Sequence, residues 1–418
     1  MRVVCLIFSL IACFVSFSQS YNYAVFCKDT LTSRYMAGRA YIDDGDKKAA
    51  NFIRNELKNN GLNLPGDDGF QSVDISVNNI LYAKLKIGNP AKELRVGEEF
   101  LVFGSSPACN MELRNVKPLF FNVKPELEKV KASKLNNKVL VFNIETLSYR
   151  DIVLFLKGLV KDRVKPELVV IQGYDKIQYS IGTSVLPFAV LQLKAKPISK
   201  KIAYLSLQIE NKYEPCYHSQ NVWAIVEGTK YKDSCFVFVS HYDHLGKVGE
   251  VYFPGANDNA SGVSVLLDMA TYYAKNPAEY SIVFLFVTGE EIGLVGSTVA
   301  AENPLIDLSK VKFLFNLDMA GTGSTGLAVI NGQKELEAGK LLQAINEENH
   351  WFAKVVLGEE SCNSDHCPFV QKGVPAHFLF TYGCEYNEYH TVYDDGKDLH
   401  FTKHIDLCNL LKEFIRRY

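Results

Sequence analysis

The chain has 418 residues, of which 47% are hydrophobic, and a formal net charge of -2. That length holds about two or three domains. Near-neutral charge with neither a basic stripe nor an acidic block argues against a nucleic-acid-binding surface and against a disordered tail.

The opening MRVVCLIFSLIACFVSFSQS carries one arginine, then an apolar run to Phe17, then small and polar residues. Residues 1–18 are expected to be a secretory signal peptide cleaved near Ser18, which makes the protein secreted or periplasmic. The run is too short and too soon polar for a membrane span. A competing reading takes Leu10–Cys13 as a lipobox that would leave Cys13 as a lipid anchor; the apolar residues after Cys13 argue against it. Export permits disulfides, but the ten cysteines are thinly spread and contain no C-x-x-C pair. Cys362 and Cys367 are close enough in sequence for a local bridge.

Residues 19–72 form an N-terminal segment expected to pack on the main domain. Within it, Ala49, Ala50, Phe52, Ile53 and Leu57 make one apolar stripe, which predicts a helix over Asp46–Asn60 that stops at Gly61. Residues 73–207 change character. Short runs such as NKVLVFNI and ELVVIQG alternate with a helix expected over Asp151–Lys161, and no catalytic cluster is visible. This stretch is expected to be a smaller β-rich α/β insert domain.

Residues 208–418 are more regular. The apolar runs SCFVFVS, SIVFLFV, VKFLFNL, GLAVIN and AHFLFT alternate with helices expected over Gly262–Lys275, Lys334–Glu348 and Thr402–Arg417. Near-continuous apolar strands between helices predict a mixed, mostly parallel central sheet flanked by helices, an α/β fold.

Metal-preferring side chains sit where those strands end. His241 and Asp243 follow the first, Glu290 and Glu291 the second, Asp318 the third; Tyr389 and His390 come a short loop after the last, and Asp258 lies in GANDNASG just before a helix. In open α/β sheets that edge is where ligands bind. Carboxylates and imidazoles suit zinc with an open position for water, and a bridging carboxylate can hold two metals. Asp258 is the candidate bridge, with His241 and Asp318 on one metal and Glu291 and His390 on the other. Asp243 could accept the second N–H of His241 and fix its tautomer, and Asp394 could do the same for His390. Spacing alone leaves open which glutamate of the pair faces which way. His244, Asp365 and His366 lie close by without an assigned role, while His218, His350, His377, His400 and His404 read as ordinary surface or core residues. No G-x-S-x-G nucleophile elbow and no H-E-x-x-H zinc motif occurs.

The segments SHYDHLG, GANDNASG, TGEEIGLVGS, NLDMAG, SDHCPF and EYHTVYDD resemble the di-zinc aminopeptidases of clan MH, the group with secreted bacterial leucyl-type aminopeptidases. The likeness covers roughly residues 221–418, and LTSRYMAGR with the following helix resembles the family's N-terminal segment. It implies the zinc exopeptidase fold and two zinc ions per chain, one on His241, Asp258 and Asp318 and one on Asp258, Glu291 and His390. Glu290 would then be the general base, Tyr389 an oxyanion-stabilising residue and Asp243 the partner of His241. The substrates implied are peptides with a free N-terminus. NKVLVF, ELVVIQG and LPFAVLQL loosely resemble a protease-associated insert. Three other readings share the fold: a mono-zinc glutaminyl cyclase, which resembles a tryptophan at the position of Tyr389; a carboxypeptidase-type relative, which needs a basic pocket; and a metal-free receptor-like module. Metal content separates them: two, one or no zinc per chain for peptidase, cyclase and module.

Overall fold

The computed structural model describes residues 20–66 and 68–418. The leader expected at 1–18, with Cys13, lies outside the described residues. Among the described residues no helix is long and apolar enough to cross a membrane.

Four parallel strands form the middle of a ten-stranded mixed sheet. Tyr231–His241 runs parallel to Tyr280–Val287 on one side and to Val311–Leu317 on the other, and Val311–Leu317 runs parallel to Ala376–Tyr382. Alternation explains why these strands are apolar throughout. Phe236, Phe238, Phe284 and Phe286 point into one core with helices Gly45–Asn59, Ser261–Lys275 and His404–Arg417. Val237, Val239, Val283 and Leu285 point into the other, under Val295–Glu302 and His366–Gln371. Both faces are covered, so both sets of positions favour apolar residues. The expected helices form with ends displaced by at most two residues. Tyr149–Lys161 starts early because Ser148 caps it, accepting from the Asp151 backbone N–H at 3.1 Å.

Two long strands carry the chain out of the main sheet. Phe70–Gly88 and Ile202–Val226 pair antiparallel from Phe70 against Val222 to Ile87 against Leu205, with two register shifts. The positions 72/73 and 207/208 both fall inside these strands. Residues on the outer half, among them Ile80, Leu85, Leu205 and Leu207, share a core with Phe100, Val141, Val170 and Leu191 of a second, five-stranded sheet.

Asp46, at the start of helix Gly45–Asn59, is fully buried and accepts hydrogen bonds from Tyr217 Oη at 2.7 Å and Ser219 Oγ at 2.6 Å. Burial outweighs these bonds and pushes its carboxyl from 3.8 to about 6. Folding therefore takes up a proton at this group between those values, so its contribution to stability is greatest below pH 4 and is lost as pH rises through 6. Asp46→Asn is expected to flatten this part of the stability–pH curve by on the order of 2–3 kcal/mol. Denaturant midpoints of the two proteins from pH 4 to pH 7 check it; identical slopes would remove Asp46 as the cause.

Candidate metal centre

The sheet brings the chemistry-bearing side chains to one edge. His241 is the last residue of its strand, Asp318 directly follows its own, and Glu290 and Glu291 come three and four residues after Val287, the end of theirs. Asp258 comes from the loop that enters helix Ser261–Lys275. That loop turns under tight constraint at Gly255, where φ is +63° and a Cβ would lie 2.2 Å from the Asp258 carbonyl oxygen and 2.4 Å from the His244 ring. Only glycine allows this approach.

Asp258 lies between two groups. Its Oδ1 is 3.3 Å from His241 Nε2, which is also 3.3 Å from Asp318 Oδ1. Its Oδ2 is 3.1 Å from His390 Nε2, which is also 3.1 Å from Glu291 Oε2. His244, which had no assigned role, belongs to the second group: its Nδ1 is 2.7 Å from Glu291 Oε1 and 4.0 Å from Asp258 Oδ2. Glu290 and Glu291 have different surroundings. Glu291 meets His244 and His390, whereas the charges felt by Glu290 are chiefly those of His241, Asp318 and Asp365. Tyr389 stands at the rim, 45% exposed, its ring stacked on that of His390 with centroids 3.8 Å apart.

The donor set fits zinc. Bonds of about 2.0–2.2 Å to nitrogen and oxygen place neighbouring ligand atoms roughly 3.3 Å apart, close to the 3.1 and 3.3 Å found on the two sides of Asp258. His390 Nε2 is buried and lies 3.1 Å from a carboxylate oxygen on each side, out of line for a good hydrogen bond to either. The electrostatics agree. Burial would lower His390, but Glu291 and Asp258 raise it to about 11; burial would likewise lower His241, but Asp318, Glu290, Asp243 and Asp258 hold it well above the usual range. Burial opposes ionisation of Glu291, yet His390 and His244 hold it down at about 2. Burial pushes Glu290 well above the carboxylate range, with Asp318, Asp365 and Glu291 adding to it against His241, and raises Asp365 to about 7. So many converging carboxylates demand positive charge.

The supporting residues differ in part from expectation. Asp243 Oδ1 lies 3.6 Å from His241 Nδ1, which comes nearer, 3.2 Å, to the Asp243 backbone carbonyl. The Asp243 carboxylate instead accepts from Tyr41 Oη at 2.6 Å and from the Glu290 backbone N–H at 3.3 Å. Asp394 does not hold His390. The chain turns at His390, with φ +58°, and Asp394 passes beneath the Asp258 loop. There it accepts from the backbone N–H groups of Asn257 at 2.8 Å and Asp258 at 3.1 Å, and from Tyr386 Oη at 2.8 Å. Ser364 and Asp365 lie in a loop closed by the Cys362–Cys367 disulfide; Ser364 Oγ donates to Asp318 at 2.8 Å, and Asp365 accepts from Ser297 Oγ of helix Val295–Glu302 at 2.6 Å. His366 binds the Ser361 carbonyl and is not a ligand.

Two supports had no sequence reading. Arg39 is fully buried and donates to the carbonyls of Leu31, Tyr242, Pro254, Gly255 and Asp258 at 2.5–3.3 Å. Its one sequence signal is its place in LTSRYMAGR. The second sheet's long loop also reaches the site: Lys176 Nζ binds the Asn387 carbonyl and Glu388, Gln178 binds the Tyr389 carbonyl, and the Tyr179 N–H donates to the His390 carbonyl at 3.1 Å. The loop thereby braces the segment that carries His390.

The protein is thus a mixed α/β fold with carboxylates and imidazoles gathered at the C-terminal edge of its parallel strands. Residues 221–412 match the model of peptidase family M28. Aminopeptidase YwaD of Bacillus subtilis is 33% identical over 170 residues, 39% of this chain and 36% of that protein. A probable zinc metalloprotease of Pyricularia oryzae is 38% identical over 113 residues, 25% of this chain and 22% of the relative. These matches thus span well under half of the relatives' length. Solved structures extend the likeness of fold to nearly the whole chain. An aminopeptidase from Aneurinibacillus sp. strain AM-1 covers 96% of this chain and 93% of its own, at 21% identity and a TM-score of 0.67. A zinc aminopeptidase from Bacillus subtilis covers 94% of each chain, at 19% identity and a TM-score of 0.72.

Proposed function

We propose that this protein is an exported metallo-aminopeptidase that hydrolyses the N-terminal peptide bond of peptides with two zinc ions. The observation that carries the reading is the placement of Asp258, one oxygen 3.3 Å from His241 and the other 3.1 Å from His390. That is the disposition of a bridging ligand, with Asp318 completing one half and Glu291 the other. His244 lies against Glu291 and helps hold it. When bound, the ions would lower the pKa of a water and polarise the scissile carbonyl.

The chain's own residues supply the rest. Glu290, with a carboxyl whose proton affinity is raised by burial, takes the proton of the attacking water and returns it to the leaving amine. Tyr389, at the open rim beside His390, donates its hydroxyl to the developing oxyanion. Asp243 holds the Glu290 backbone, and Asp394 with Arg39 holds that of Asp258. Residues 73–207 act as a protease-associated-like insert, and bracing His390 is the contribution their contacts support. Export rests on the sequence of residues 1–18 alone.

Aminoacyl amides with free and with blocked N-termini, assayed with and without chelator, test the reading. Only free-amine substrates are expected to turn over, and chelator to abolish it. Equal cleavage of the blocked series would refute an aminopeptidase, and full activity without metal would refute the metal centre.

A further inference from the structure

A second group of ligand-type side chains is buried away from this centre. Asp268 lies on helix Ser261–Lys275, and His404 and Cys408 lie one turn apart on His404–Arg417. Positions four apart share a helix face, and both side chains point to the same oxygen of Asp268. His404 Nε2 is 2.9 Å from Asp268 Oδ2, Cys408 Sγ is 3.8 Å from that oxygen, and Cys408 Sγ is 3.8 Å from His404 Nε2. Ser20 Oγ donates to the same oxygen at 2.5 Å. The three side chains are buried, yet Asp268 and Cys408 line a cleft of about 530 Å³ together with Ser20, Tyr23 and Lys412.

We propose that Asp268, His404 and Cys408 form a further metal site, separate from the proposed catalytic pair, for zinc or a similar divalent cation. One nitrogen, one carboxylate oxygen and one sulfur are a donor set that suits zinc, whose bonds of about 2.0–2.3 Å separate neighbouring ligand atoms by roughly 3.3–3.8 Å. The observed separations need little adjustment. On binding, the thiol loses its proton to solvent, and thiolate plus carboxylate balance the two positive charges. A neutral assembly is what a buried position tolerates. The cleft provides the way in, and water from it, or the Ser20 hydroxyl, provides the fourth ligand. The plain alternative is a pair of hydrogen bonds to Asp268 Oδ2, one with His404 Nε2 and a weak one from the Cys408 thiol. The two readings differ in whether the converging nitrogen, oxygen and sulfur take up a metal. A metal at this position would join the C-terminal helix to the helix that follows the Asp258 loop. The site does not depend on the peptidase reading.

Cobalt(II) added to metal-free, full-length protein tests it. The catalytic centre offers only nitrogen and oxygen donors, so a near-ultraviolet thiolate-to-cobalt charge-transfer band reports a cysteine site alone. The wild type is expected to show the band, and Cys408→Ser and His404→Gln to lose it while still taking up cobalt at the catalytic centre. No band in the wild type, or a band unchanged in Cys408→Ser, overturns the proposal. Anomalous diffraction at the zinc edge from wild-type crystals grown with zinc needs no variant. A peak within bonding distance of the three donor atoms is expected, and none there overturns the proposal.

Discussion

Glu290→Gln is expected to keep its metal and lose turnover by about 10²–10⁴-fold, the usual contribution of a general base. Glutamine has nearly the same shape and still accepts hydrogen bonds, but it cannot carry a proton between water and amine. The charges acting on the side chain are chiefly those of His241, Asp318 and Asp365, whereas Glu291 is in direct contact with His244 and His390. Loss of the Glu290 charge therefore leaves the ligand group around Asp258 and Glu291 in place. Removing a carboxylate from a crowd of carboxylates also relieves repulsion, so stability is expected to hold or rise slightly. Metal content and kcat, measured on the same preparation, decide the matter. Near-normal kcat with full metal would show that the proton is carried elsewhere; loss of metal would show that Glu290 is a ligand. Glu291→Gln is the control: it is expected to lose metal and activity together.

Arg39→Met is expected to destabilise the fold by about 3–5 kcal/mol, the cost of breaking a buried charged network, and to weaken metal binding. The guanidinium satisfies carbonyls from the N-terminal segment, from Tyr242 beside His241, and from the Pro254–Asp258 loop. Burial brings it down to about 10, against the pull of Asp394 and Asp258 first among the nearby carboxylates, so it stays charged at neutral pH. Methionine fills much of the volume but leaves those carbonyls without a donor. Arg39→Lys is expected to be intermediate, because it restores charge without the planar fork. Denaturant midpoints and zinc titration of the three proteins measure both effects. Wild-type stability and affinity in Arg39→Met would remove Arg39 from the support of the centre.

The parts of this protein that could be read from its sequence are those where one residue type has one physical use. Val237 and Phe238 point to opposite covered faces, so their run had to be apolar and was visible as a buried strand. His241, Asp258, Glu291, Asp318 and His390 were visible because few side chains bind metal and they recur at strand ends. The supports were less legible. Arg39 binds backbone carbonyls, which leave no trace in side-chain pattern. Asp394 was assigned to His390 on proximity in sequence; a left-handed turn at His390 carried it to the loop before helix Ser261–Lys275 instead. His404 was read as an ordinary surface or core residue, and it is buried; its partner Asp268, 136 residues away, could not be read from the sequence. The helices were recognised, and three of them end where expected, at Lys161, Lys275 and Arg417; their starts shift by one or two residues, since caps such as Ser148 decide those locally.

The two long strands have a mechanical consequence. A polypeptide linker lets two bodies swivel, but a paired ladder from Phe70 to Ile87 resists both bending and torsion. The outer sheet is therefore geared to the inner one. A displacement of the outer sheet is expected to reach His390 through the Tyr179 N–H bond to its carbonyl. Unfolding is coupled in the same way: Leu85 and Leu205 belong to the outer core, Val222 and Ala224 to the inner one, yet all lie on these two strands. Melting of either layer frays the ladder that the other depends on, so a calorimetric trace should contain a single cooperative transition.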